Sequence, residues 1–339
     1  MPGPINQQGI MKYPACLLLT ILVIFPGLSS QLAAADPGTD EKALAIIGQI
    51  KKNVGNNQLV RDLAKLGPEA LATIRSGIKK GPGPVSATLV KARNLIISTR
   101  VAGVLQRGIK SQLSFDGQYN ELAENRTENI EALFFLLNDE SSPYAIRHGS
   151  CRALADIGDK SLLPRLRQLY WDILLDPDLR NELGIILAIF GDTTAIDNKL
   201  TRYSRFTDHQ RSLVRRSANI ELSNLYYRIR NYARAIEAYE KILEISEKLL
   251  KTQRQARVPQ EVLREGEQQL NLHYYNAACS NSLGGNLERA KKYLLKAVQG
   301  NPEHYGNIGK DGDLINLRKD PGFPAFMKKL GRLFEDEEI

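Results

Sequence analysis

Aromatic residues make up only 7 % of this 339-residue chain, with a single Trp, three Cys and four His. So few aromatics argue against an aromatic-cored β-sandwich and for a helical chain built on Ala, Leu and Ile. Three cysteines exclude a disulfide scaffold and a multi-cysteine zinc array. Four scattered histidines leave little for metal chemistry. Reactive constellations are also missing. There is no GxSxG elbow, no GxxxxGK[ST] phosphate loop, no HExxH and no CxxC, and no GxGxxG opens a helix after a strand. No catalytic residue, cofactor or metal site is therefore expected. Asp311-Gly312-Asp313 lacks the remaining ligands of a calcium loop and reads as a turn. His148 and Cys151 lie three apart on a helix, but the sequence shows no acid to orient the base.

What remains is an ordinary globular composition, 42 % hydrophobic and 25 % charged. Residues 1–35 read as a signal peptide. The apolar run Cys16 to Phe25 is broken by Pro26-Gly27, and Ala33-Ala34-Ala35 offers a cleavage site after Ala35. A secreted or periplasmic address follows; retention as an uncleaved anchor is the alternative. Met11-Lys12 makes a more orthodox start than Met1. One of the 46 basic residues and none of the 38 acidic ones precede Asp36, so the remainder carries +7. Its densest basic stretches are Arg202, Arg205, Arg211, Arg215 and Arg216, then Lys248, Lys251, Arg254 and Arg257. These read first as solvated helix faces. Outside the cytoplasm nucleic acid is excluded as a partner, which leaves an acidic protein or an anionic membrane surface. Cys151 and Cys279 sit among small and apolar residues and are expected as buried free thiols, with a disulfide between the halves as the alternative. Asn125-Arg126-Thr127 is a formal glycosylation sequon that matters only in a eukaryotic secretory pathway.

Internal repeats decide the architecture. The stretches Leu63-Ala64-Lys65-Leu66-Gly67-Pro68, Leu154-Ala155-Asp156-Ile157-Gly158-Asp159 and Leu187-Ala188-Ile189-Phe190-Gly191-Asp192 share one pattern, the last two 33 residues apart. Gly accepts the left-handed conformation that ends a helix, and the following Asp or Pro suits the start of the next. Ile130, Leu133, Phe134 and Leu137, then Arg147, Cys151, Leu154 and Ile157, mark one helical hairpin between Thr127 and Asp159. Leu162, Leu163, Leu166, Leu169 and Ile173, a turn at Asp176-Pro177-Asp178, and Leu183 to Phe190 mark the next. A longer helix is expected over Val85 to Leu113, between the loop signals Gly81-Pro82-Gly83-Pro84 and Phe115-Asp116-Gly117.

This first half resembles HEAT-type helical repeats. The second half resembles the tetratricopeptide repeat. Its first unit places Leu222, Ser223, Tyr226, Tyr232, Ala235 and Tyr239 at the family's packing positions, and its second places Tyr274, Ala277, Ala278, Gly285, Ala290, Leu294, Ala297 and Pro302. Ile242 and Asn281 depart from the pattern. From Ala235 to Ala290 is 55 residues, 21 more than one period, and the excess near 247–268 reads as helices extended to a break at Pro259. Asp313 to Phe323 resembles the closing motif found after the last repeat of many bacterial tetratricopeptide proteins, followed by an acidic tail from Glu335 to Glu338.

The resemblances imply an all-α fold, a right-handed α–α superhelix. A signal peptide (1–35) precedes HEAT-like repeats (36–205) and tetratricopeptide repeats with a cap (206–339), the two arrays forming one superhelix. They imply a non-enzymatic, monomeric scaffold of the cell envelope that binds a partner peptide or helix in its concave groove. The groove residues implied are Asn219, Asn224, Tyr227 and Arg228 from the first unit and Asn271, Tyr275 and Asn276 from the second. Arg147 and Arg180 are expected to pair with acids between units. An accessory role in an enzyme or secretion complex is the alternative; the chromophore lyases that some HEAT-like proteins resemble would need a titratable cluster that the sequence does not assemble.

Overall fold

The computed structural model describes residues 38–53, 56–79, 83–111, 119–123, 125–172 and 175–335. The signal peptide, its cleavage site, Cys16, Ile173, the Phe115-Asp116-Gly117 loop and Asp336 to Glu338 lie outside the described residues.

Among the described residues the chain is an all-α solenoid without strands. It opens with α1 (Thr39–Lys52), α2 (Asn57–Ala64) and α3 (Leu71–Lys79), which pack against the long α4 (Pro84–Ser111) expected from the sequence. Two helical hairpins follow, α5 (Arg126–Asn138) with α6 (Tyr144–Ile157), and α7 (Leu163–Tyr170) with α8 (Pro177–Ile189). The apolar positions read from the sequence form one core: Leu133, Leu137, Cys151, Leu154, Leu166 and Leu183 are buried together.

The 33-residue repeat is visible in the backbone. Gly158 and Gly191 both take positive φ, 69° and 99°, where a side chain would be strained. One residue on, Asp159 accepts from Ser161 N at 3.0 Å and Asp192 accepts from Thr194 N at 3.2 Å. Asp176 caps α8, with Pro177 at its first position.

Arg147 and Arg180 also repeat, each the fourth residue of its helix, but not in the expected role. Arg147 Nε donates to the Leu137 carbonyl at 3.0 Å. Arg180 donates to the carbonyls of Asp172 at 2.6 Å and Leu175 at 3.3 Å. The Arg147 guanidinium satisfies a carbonyl in the last turn of α5, and that of Arg180 satisfies carbonyls of the turn that follows α7. Arg165 instead pairs with Glu131 between the units, at 2.6 Å.

The second half is built from α9 (Asp197–Ser204), α10 (Ser212–Arg228), α11 (Tyr232–Gln255), α12 (Gln260–Leu283), α13 (Leu287–Gly300) and α14 (Glu303–Ile308). A 3₁₀ turn (Gly312–Leu314) leads into the one-turn helix α15 (Ile315–Arg318) and then α16 (Phe323–Glu335). The extra residues do lengthen α11 and α12, which turn at Pro259. Leu250 and Leu263 are buried along this extension. Tyr239, Tyr274, Ala277, Ala278, Ala290, Leu294 and Ala297 form the second core together with Leu314, Leu317 and Leu330. A third cluster joins the halves: Ile185, Ala188 and Ile196 meet Leu225 and Ile229. Both remaining cysteines are buried free thiols. No helix of the described residues is long and apolar enough to cross a membrane.

Candidate partner-binding groove

The helix that opens each C-terminal unit presents a face defined by residues three and four apart. On α10 this face carries Ser217, Glu221, Asn224 and Arg228, all exposed. Arg228 is not idle there, because it forms an ion pair with Glu182 of α8. Asn219 points elsewhere; it is buried, and its Nδ2 donates to the Arg215 carbonyl at 2.8 Å. Tyr227 is half-buried, edge-on to Tyr232, with its hydroxyl beside Asp313. Burial first, and then the Asp313 charge, push its pKa far up.

On α12 the candidate residues are packed. Asn271 is buried against the last turn of α13, where a Cβ on Gly300 would lie 2.1 Å from its Oδ1, so only glycine admits this contact. Asn276 and Ser223 face the Tyr239 hydroxyl, whose pKa burial pushes up to about 12. Tyr275 is buried, stacks on His304 with ring centroids 4.8 Å apart, and donates to Asp311 at 2.9 Å. The seven residues implied by the resemblance therefore do not share one open surface. Asn224 and Arg228 lie on the exposed face of α10, Asn219 sits buried at the edge of a separate concavity, and the other four are engaged inside the array.

At the positions of α12 that match the exposed line of α10, Leu272 is exposed, Asn276 is half-buried and Cys279 is covered. Residues 311–317 cover an adjoining face of α12. Tyr275, Cys279 and Ser282 lie on that face and meet residues 311–317. Asp311 accepts from Tyr275 and, at 3.8 Å, from the Cys279 thiol. Asn316 donates to the Ser282 carbonyl at 3.2 Å, and Leu317 N donates to Ser282 Oγ at 3.3 Å. Asp311 caps its own turn by accepting from Asp313 N at 2.9 Å, and Arg318 ties the turn to the Ile308 and Asp311 carbonyls. Ligand atoms of Cys279, Asp311 and Asp313 lie within 4.8 Å of one another. Burial and these two carboxylates raise the Cys279 pKa, so the thiol stays protonated and acts as a donor.

Polar contacts that the sequence did not announce hold the two halves in register. Glu182 receives both His148, at 3.3 Å, and Arg228. Burial pushes its pKa up, but the His148 hydrogen bond and the Arg228 charge outweigh that and leave it lowered. Arg230 reaches across to the fully buried Asp156 and to the Ala155 carbonyl. Asp156 also accepts from Tyr119 N at 3.2 Å. Arg230 has φ 60°, the equivalent of Gly285 (φ 80°) in the second unit. Each lies five residues before the repeat's Ala, Ala235 or Ala290. A non-glycine residue there costs on the order of 1 kcal/mol in strain, which the pair with Asp156 offsets. The readable signal was Arg standing where the second unit has Gly.

Cys151 is wholly buried, and desolvation raises its thiol pKa; His148 is turned to Glu182. That geometry holds a protonated thiol beside a structural His148–Glu182 contact. It does not activate a nucleophile.

Two concavities flank α10. One, of about 290 Å³, runs between the start of α10 and the extension of α11 and includes Asp208, Arg215, Asn219, Lys241, Glu244 and Lys248. The other, of about 350 Å³, lies between α9 and α10 and is lined by Arg202, Tyr203, Phe206, Leu213, Val214, Ser217, Ala218 and Glu221. Ser217 and Glu221 belong to the exposed face that continues to Asn224 and Arg228. This open groove therefore runs into the exposed face of α10.

A family model described as tetratricopeptide repeat matches residues 217–249 and 274–304, the two units just described. No curated protein and no solved structure matches the chain.

Proposed function

We propose that this protein is a non-enzymatic adaptor of the cell envelope that holds a segment of another protein along α10. The observation that carries the reading is the exposed line Ser217, Glu221, Asn224 and Arg228, which runs into the α9–α10 groove. Tetratricopeptide repeats support a protein partner. In this reading the 33-residue hairpins are HEAT-like units that set the position of α10 through Ile185, Ala188, Leu225 and Ile229. Residues 311–330 act as the terminal cap, burying the apolar end that the last repeat would otherwise expose. Residues 1–35 direct export, and the mature chain works as a monomer in the periplasm or outside the cell.

Photo-crosslinking in cells tests this, with the probe at Asn224 and a second probe at Tyr275 as the covered control. The expected outcome is one dominant protein captured from Asn224 and none from Tyr275. No capture from Asn224 would overturn the reading.

A further inference from the structure

The geometry points to the occupant of the α9–α10 groove as an acidic amphipathic helix of the partner protein. This inference rests on the adaptor reading and sharpens it to a chemical class.

The floor of the groove is apolar. Phe206 and Leu213 remain 44 % and 61 % exposed, beside Val214 and Ala218. Two large side chains left out of the core on the two sides of one groove suit the apolar stripe of a helix, which carries anchors at positions i, i+3 or i+4, and i+7.

The charge around that floor is one-sided. Residues 199–216 hold six cations and a single acid, Asp208. Three of the cations are engaged inside the protein: Lys199 with Asn181, Arg215 with the His209 and Gln210 carbonyls, and Arg216 with Gln269. Arg202, Arg205 and Arg211 are exposed and make no ion pair among the described residues. Arg202 lines the groove, and Arg205 and Arg211 stand next to Phe206 and near Leu213 along the chain. The acid that lines the groove, Glu221, is at its far end, on the way to Asn224. A bound helix therefore places its carboxylates towards the α9–α10 turn and keeps neutral or basic residues over Glu221. That gradient sets the direction in which it lies. The acid in the groove's lining, Glu221, would repel an anionic bilayer and suits a helix whose charge can vary along its length.

The test uses the full chain and two synthetic amphipathic helices with the same leucine stripe, one flanked by Glu and one by Lys. Fluorescence anisotropy should show binding of the Glu peptide, weakening as salt rises, and at least about tenfold weaker binding of the Lys peptide. Arg202→Glu with Arg211→Glu should weaken the Glu peptide by about tenfold or more, and so should Phe206→Ala with Leu213→Ala. Lys251→Glu, an exposed cation outside the groove, should leave it unchanged. Equal binding of both peptides, no binding of the Glu peptide, or groove-dependent binding to phosphatidylglycerol vesicles in its place would overturn the inference. A crosslinking probe at Phe206 separates the two levels. A protein captured from Asn224 but not from Phe206 would leave the adaptor reading standing and remove this one; capture from neither position would remove both.

Discussion

The two tetratricopeptide units follow one local pattern and put it to different uses. Ala235 and Ala290, Tyr239 and Leu294, and the turn residues Arg230 and Gly285 correspond, and each unit forms a helical hairpin. In the second unit the face of the leading helix that carries Tyr275, Cys279 and Ser282 is covered by residues 311–317, and the turn is a glycine with open space beside it. In the first unit the corresponding positions are Ile220, Asn224 and Tyr227, of which Asn224 is exposed and Tyr227 lies beside Asp313, and the turn residue is an arginine that joins the preceding array. Repeats that are equivalent in spacing have become unequal in role. One packs against the C-terminal segment, and the other links the two halves and leaves Asn224 exposed.

The largest test of this contrast is Asp156→Ala. It leaves Arg230 without its buried carboxylate and Tyr119 N without an acceptor, so stability should fall by about 3–5 kcal/mol. Calorimetry should then resolve two transitions in place of one. A single transition with an unchanged midpoint would show that the apolar cluster alone couples the halves. Arg230→Gly should cost less than Asp156→Ala, because glycine recovers the positive-φ strain that the arginine carries.

On the other side of the comparison, Leu317→Ala should cost about 2–5 kcal/mol, because Leu317 is fully buried in the second core. It should loosen the cover of α12, and a crosslinking probe at Tyr275 should then begin to react. If denaturant unfolding shows a loss below 1 kcal/mol, or the probe stays silent, the covering segment is held by something other than Leu317.

His273 sharpens the comparison through pH. It lies on α12, and burial first, then the nearby Arg216 charge, lower its pKa from 6.5 to about 4. Between these values the unfolded chain binds the proton and the folded chain does not. Stability from this residue is therefore complete above about pH 6.5 and lost as pH falls towards about 4. From pH 7 to pH 5 the loss should be about 2 kcal/mol. In His273→Gln the loss between these pH values should shrink by about this amount when unfolding is followed in urea. An equal loss in the variant would place the pH sensitivity elsewhere.

The smallest effect is expected from Arg228→Ala. Arg228 is nearly half exposed, and Glu182 keeps His148 when it is gone, so the change should be below about 1 kcal/mol in denaturant titration. A larger loss would move Arg228 from the open face into the structural link.

Much of this architecture was legible in the chain. The Leu-Ala-x-apolar-Gly repeat located the helix ends at Gly158 and Gly191, because left-handed backbone there favours glycine. The 21 surplus residues and Pro259 announced the extension of α11 and α12, since proline ends a helix by lacking a donor. The candidate groove was less legible. Spacing places Asn224, Tyr227, Tyr275 and Asn276 on leading helices, but it does not say which side chains the rest of the chain will cover. Arg147 and Arg180 show the same limit, since an arginine can satisfy a backbone carbonyl as well as a carboxylate, and only the neighbours decide.

The sequence by itself determined the local elements: helix lengths, their stops, the apolar faces and the period at which hairpins recur. These rest on interactions between residues a few positions apart, which a linear reading contains. Tertiary structure decided the rest. It brought Arg230 to Asp156 across 74 positions and Arg228 to Glu182 across 46, and it laid residues 311–317 over α12. It also left open the groove between α9 and α10. Burial and electrostatic pairing act between surfaces that meet only when the solenoid closes, so no local pattern encodes which face stays exposed.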